Sequence, residues 1–185
     1  MIDESYVPAV ITAVAGILGI LINLLIEVHY KNLDKKIKEK EKMQINLEVY
    51  YLPFAIKISE ISSMFATSGL KKERVLEFLC NSKVPSAKDE KIIENIKKSI
   101  LETYKYIRET NFKYIDDILL YKYFTKAKDI IGLLGNSIIY KEMINGENID
   151  MQYFDLYVNR VNDRVFYYNS GGFLHYWYYK RKGEI

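Results

Sequence analysis

Cysteine, histidine and proline are scarce in this 185-residue chain, which holds one Cys, two His and three Pro. With Cys80 alone, an intrachain disulfide is excluded, and so is a Cys-rich zinc site. His29 and His175 are too few and too far apart in sequence to suggest a metal centre, so neither metal nor cofactor is expected. The glycine-rich phosphate loops GxGxxG and GxxxxGK[ST], the zinc-binding HExxH and the nucleophile elbow are all missing, which removes the standard nucleotide-binding and hydrolase readings. No stretch alternates apolar and polar residues as a half-buried strand would, and no repeat with a period of roughly 20–50 residues is present. A net charge of +3 does not argue for direct nucleic-acid binding.

What is present is strongly uneven. From Val7 to Ile26 the chain reads VPAVITAVAGILGILINLLI, without one charge. About 20 apolar residues at a rise of 1.5 Å match a hydrocarbon core of about 30 Å, so one transmembrane helix is predicted over 7–26. Pro8 falls in its first turn, where a missing N–H is tolerated. The start is acidic and the run leads into a charged segment, the pattern of a retained span rather than a cleaved secretory signal. Residues 1–30 carry Asp3, Glu4 and Glu27 but no Lys or Arg, whereas 31–42 carry Lys31, Lys35, Lys36, Lys38, Lys40 and Lys42. By the positive-inside rule the N-terminus is expected outside a bacterial inner membrane and the remainder in the cytoplasm.

Within the span, Ser5, Thr12, Gly16, Gly19, Asn23 and Glu27 follow one another at 7, 4, 3, 4 and 4 residues, hence along one stripe of a helix. Val10, Val14, Ile17, Leu21 and Leu24 take the opposite face. An asparagine in hydrocarbon is costly without a partner, so Thr12, Gly16, Gly19, Asn23 and Glu27 are expected to pack against another helix or line a pore. A homo-oligomer in contact with membrane lipid is expected, a contact with a different membrane protein being the alternative.

Three regions are expected: 1–30 as the membrane segment, 31–52 as a charged helical stalk, and 53–185 as a helical bundle with an aromatic and basic tail. Leu52-Pro53 predicts a break or kink, because proline disfavours helix in the residue before it. A helix is predicted over about 54–67, stopping near Ser68-Gly69, and a short one within LKKERVLEFLCN. Ser86 with Asp89 resembles a capping box, after which Ile93, Ile96, Ile100, Tyr104 and Ile107 mark one helix face. Leu120, Tyr123, Phe124, Ala127, Ile131 and Leu134 continue to a breaker at Gly135-Asn136. Asn145-Gly146 reads as a turn and Asp150 as an N-cap; Phe154, Tyr157, Val161, Val165 and Tyr168 then line a last long helix ended by Gly171-Gly172.

The polar patch on that last helix is Asn159, Arg160, Asn162, Asp163 and Arg164. Arg160 and Arg164 are four residues apart and share a face, suited to phosphate or to a subunit contact. The plainer expectation is an exposed face with a local Asp163–Arg160 pair. Asp116 and Asp117 are adjacent, diverge on a helix and are expected to be solvated. The tail FLHYWYYKRK, with His175 and Trp177, suits packing on the bundle with its basic end in water, a membrane interface or stacked RNA bases, the first being favoured.

The N-terminal span, the charged continuation, the YYLPF turn at 50–54 and a helical domain with an Asn/Arg-bearing last helix together resemble the small membrane accessory proteins of type VI-B CRISPR systems. The resemblance implies a HEPN-like helical bundle on a membrane anchor, assembly into a pore, and a functional link to an RNA-guided CRISPR nuclease in antiviral defence. HEPN-superfamily RNases place four to six residues between Arg and His. Here ten residues separate Arg164 from His175, so no catalytic residue is assigned and no enzyme is expected. A membrane-anchored RNase using Arg164 and His175, and a membrane tether for a cytoplasmic partner, are the alternatives.

Overall fold

The computed structural model describes residues 7–80, 83–143 and 146–169, and among them every regular element is helical. Helix α1 runs Val7–Asn46, followed by a π-helical stretch Leu47–Tyr51 and then α2, Leu52–Thr67. Next come α3 (Lys72–Leu79), α4 (Ala87–Glu109), α5 (Ile118–Tyr140), a 3₁₀ turn (Gly146–Asn148) and α6 (Gln152–Asn169). The chain divides into two compact units, one up to Lys42 and one from Met43 onward.

In the first unit α1 has no hydrophobic side of its own to hide. From Ile11 to Lys42 every residue is exposed, with Ile11 at 63 % and Leu25 at 70 %. Leaving a large aliphatic side chain in water forgoes about 1.5–3 kcal/mol, so this helix needs an apolar surrounding. Past the apolar run, i,i+4 ion pairs take over: Glu27–Lys31 at 2.6 Å and Asp34–Lys38 at 2.8 Å.

The second unit is a helical bundle in which α2 packs on α4 and α6, and α5 packs on the same two helices. Its core joins Phe54, Ile58 and Ile61 of α2 to Ile93, Ile96 and Ile100 of α4, Leu120, Phe124, Ile131 and Leu134 of α5, and Phe154, Tyr157 and Val161 of α6. The apolar positions that periodicity singled out on α4 and α6 are the buried or half-buried ones. Ser86 caps α4, accepting from the Asp89 amide, and Asp150 accepts from the Gln152 amide at the start of α6. Gly69, at φ +67°, turns the chain after α2. Lys72 donates to the carbonyls of Gly146 and Ile149 and so ties α3 to the 3₁₀ turn.

Two expectations are corrected. Pro53 does not break the chain, since Tyr51 and Leu52 both keep right-handed helical dihedrals. The helix instead widens to π geometry just before the proline, and the Leu52 amide donates to Leu47 five residues back. A proline ring clashes with the carbonyl four residues earlier in an α-helix, and the wider turn relieves that conflict. Leu47 and Tyr51, placed in the exposed stalk by their charged neighbours, are fully buried.

The second correction is Gly135-Asn136, where α5 continues to Tyr140 and ends only at Lys141, which takes the left-handed conformation at φ 57°. Gly135 faces α4 so closely that a Cβ there would lie 2.5 Å from Cγ and Cδ2 of Tyr104. The glycine lets two helices approach, and the Tyr104 hydroxyl donates to Asn136 Oδ1 at 2.6 Å beside it.

Candidate functional site: the apolar helix and the α6 arginine cluster

Helix α1 is the one helix among the described residues long and apolar enough to cross a membrane. Its 40 residues contain the whole of 7–26 and continue well beyond. Thr12, Gly16, Gly19, Asn23 and Glu27 are all exposed on it. A Cβ added at Gly16 or Gly19 would meet nothing within 4 Å, so no packing among the described residues accounts for either glycine. Glu27 is paired along the helix with Lys31. The stripe therefore ends, at its polar extremity, in a carboxylate already neutralised by its own helix.

On α6 the spacing of Arg160 and Arg164 does place them together, and their shared partner is Asp117. Arg160 Nε donates to Asp117 Oδ2 at 3.1 Å and its Nη2 to Oδ1 at 3.3 Å, while Arg164 Nε donates to Oδ2. This corrects both expectations for these acids: Asp117 is not solvated but has a side chain only 4 % exposed, and Arg160 pairs with it rather than with Asp163, which is exposed. Asp116 is exposed as expected.

Asp117 is also the N-cap of α5, its Oδ1 accepting from the Leu120 amide at 2.9 Å. Burial pushes its carboxyl pKa up. The Leu120 amide and the Arg164 and Arg160 guanidinium groups together outweigh that and hold it below the usual carboxylate value. Two cations on one carboxylate leave the cluster with a net positive charge. Arg164 is 28 % exposed and lies over the Tyr167 ring, 5.7 Å from its centroid, where the π face takes part of that charge. Asn159 and Asn162 are exposed and do not join the cluster. His175 lies outside the described residues.

Sequence reasoning missed a second set of groups, built around the π-helical stretch. The Tyr106 hydroxyl of α4 donates to the Tyr50 carbonyl at 3.0 Å, and the Tyr157 hydroxyl of α6 donates to the Tyr51 carbonyl at 2.7 Å. These hydroxyls tie two carbonyls of the joint to helices distant in sequence. The Tyr51 hydroxyl in turn donates to the Lys113 carbonyl at 2.9 Å, and Asn46 reaches the Tyr114 carbonyl at 3.4 Å. Burial raises the Tyr51 pKa to about 12 and that of Tyr157 well above its ordinary value, so both stay neutral donors. The rings of Tyr51, Phe54, Phe112, Phe124 and Tyr157 pack edge-on or tilted around this joint.

For the Asp117 cluster a signal was available: an Asp three residues before Leu120, opening an apolar periodic run, is a ready N-cap. No local pattern marks the tyrosines, whose partners lie 56 and 106 residues away.

No group of three or more His, Cys, Asp or Glu side chains among the described residues is placed to hold a metal ion. Cys80 is buried, with its sulfur 2.9 Å from the Ser137 hydroxyl. Comparison with protein-family models, curated proteins and solved structures finds no match to this chain.

Proposed function

We propose that this chain is a membrane-anchored, non-enzymatic protein that self-associates through the small and polar stripe of α1 and forms a permeation path. In this reading α1 crosses a bacterial inner membrane with its N-terminus outside, since the lysines of 31–42 follow the apolar run and none precedes it. The bundle then lies in the cytoplasm. Thr12, Gly16, Gly19, Asn23 and Glu27 border the conduit or seal the packing between neighbouring copies. The single observation that carries the reading is the one-sided placement of these residues on a helix exposed all round. Lipid would satisfy the aliphatic face, but an asparagine and paired glycines are better satisfied by another helix.

The α6 cluster supports the non-enzymatic part. Arg160 and Arg164 are engaged by a buried carboxylate, an arrangement that joins α6 to the start of α5 rather than presenting a free phosphate grip. Exposed Asn159, Asn162 and Asp163 are left for contacts between bundles. Depolarisation of an infected cell, linked to an RNA-guided CRISPR nuclease, is the biological role that the resemblance to type VI-B accessory proteins adds.

The test compares wild type with Asn23→Leu in cells and in detergent. Loss of dye entry or of depolarisation, with expression and membrane insertion retained, is the expected result. Unchanged permeability in the variant overturns the conduit, and a single-subunit species in detergent reduces the protein to an anchored bundle that tethers a partner.

A further inference from the structure

Between Lys31 and Lys42 helix α1 carries six lysines and three acids, and its only apolar residues there are Leu33 and Ile37. Both are about half exposed, at 45 % and 48 %, and Tyr30, one turn ahead, is 64 % exposed. Tyr30, Leu33 and Ile37 are spaced 3 and 4 apart and so share one face. That face is in register with the stripe of the apolar run: Gly16, Asn23, Tyr30 and Ile37 are seven residues apart, and so are Thr12, Gly19, Ile26 and Leu33. A strict seven-residue repeat drifts by about 20° per heptad on a straight helix, and a left-handed supercoil around a partner removes the drift.

The charges flanking this face select its partner. One flank carries Glu27, Asp34 and Glu41, all acidic, and the other carries His29 and Lys36. The ion pairs along α1 join Glu27 to Lys31, Asp34 to Lys38 and Lys35 to Glu39, so Lys36 and Glu41 enter none of them. In a parallel coiled coil the residue preceding a first core position meets the partner residue five places further on. Lys36 then faces Glu41 of a second copy, and His29 faces its Asp34. Antiparallel copies would instead set acid against acid and lysine against lysine. The charge pattern therefore suits a second copy of this chain, running in the same direction.

We propose that Tyr30, Leu33 and Ile37 form the seam of a parallel, in-register coiled coil with a second copy of this chain, closed at its edges by Lys36 of each copy and Glu41 of the other. The inference rests on the reading that copies associate through the small and polar stripe of α1, and it extends that interface past the membrane. Three apolar layers are too few to hold two short helices together in water by themselves. A span that is already paired keeps the copies at high effective concentration, and the seam then fixes their register.

Disulfide cross-linking of the full-length protein in membrane vesicles, with copper phenanthroline as oxidant, tests the seam. Wild type, whose single Cys80 is buried, serves as the blank. Core positions of a parallel pair fall within the Cα separation of roughly 4.4–6.8 Å that a disulfide spans. Leu33→Cys is therefore to give a two-subunit band, and Lys35→Cys, on the back of the helix, several-fold less. Adding Lys36→Glu to Leu33→Cys is to cut the yield several-fold, and adding Glu41→Lys as well is to restore it. Thr12→Cys reports on the span separately. Cross-linking at Thr12→Cys, with Leu33→Cys no better than Lys35→Cys, overturns the seam and leaves association within the membrane standing. No cross-link at any position overturns both. A charge reversal without effect, or a double reversal that fails to recover the yield, overturns the pairing of Lys36 with Glu41 and the register with it.

Discussion

The long apolar helix and the bundle are built from much the same apolar residues, arranged by opposite rules. In α1 from Ile11 to Ile26, Ile, Leu and Val occur on nearly every face and all are exposed. On α4 the isoleucines at 93, 96, 100 and 107 form one buried stripe, against exposed Lys91, Lys98, Glu102 and Lys105. The first pattern leaves its apolar surface uncovered among the described residues; the second is satisfied within the bundle. The polar groups differ correspondingly. In the bundle they are matched: no buried side-chain nitrogen or oxygen among the described residues lacks a partner, and buried tyrosines carry their hydroxyls to specific carbonyls. In α1, Gly16 and Gly19 remain open to whatever comes against them.

Separate rules predict separate sensitivities, and the sharpest lies in the bundle. Asp117→Ala removes a buried carboxylate, strands Arg160 and Arg164 and uncaps α5. A loss of about 3 kcal/mol is expected, the lower end of what breaking a buried ion pair costs because Arg164 still reaches water. Thermal or denaturant unfolding of the detergent-solubilised protein measures it. Asp117 also predicts the direction of a pH effect. Its folded pKa lies below the ordinary 3.8, so its contribution is complete above that value and is lost as pH falls from there through the folded pKa. Asp117→Asn, which can still cap α5, is to remove that part of the acid sensitivity; an unaltered acid profile would mean the carboxylate is not held by its arginines.

Next in size is the approach of α4 and α5. Gly135→Ala forces a Cβ onto the Tyr104 ring and, at about 1–3 kcal/mol for overpacking, outweighs the gain of about 1 kcal/mol from replacing a helical glycine. Tyr104→Ala in the same chain is to lessen the cost without abolishing it, since the Cβ at 104 still lies 2.9 Å from the added one. Additive effects of the two substitutions would show that the helices do not meet there.

Those two sites also mark where sequence patterns stop being informative. Helix α4, with its serine cap and isoleucine stripe, and α6, with Asp150 and its apolar face, were legible because each signal acts within a few residues. Pro53 and Gly135 carry local rules as well, and both rules fail. A proline breaks a regular α-helix by clashing with the carbonyl four residues back; here the turn widens instead, and the Leu52 amide donates to Leu47. A glycine ends a helix unless close packing rewards its missing side chain, and that reward comes from Tyr104. The same holds for the arginine patch: its shared face followed from the four-residue spacing, but the buried aspartate it faces lies 43 residues away. Spacing identifies a face. Tertiary packing selects its partner.

The smallest expected effect separates the two regions most cleanly. Leu25→Ala deletes most of a side chain that is 70 % exposed and is not a member of the bundle core. Bundle unfolding is expected to change by less than about 0.5 kcal/mol, as for a surface position. The equivalent truncation inside the core, Phe54→Ala, would cost about 3–5 kcal/mol. If Leu25→Ala lowered bundle stability by more than a kilocalorie, about a fivefold change in the folding equilibrium, the apolar run would be part of a folded core rather than a surface awaiting lipid. The membrane reading would then lose its physical basis, which is an apolar helix left uncovered by every described residue.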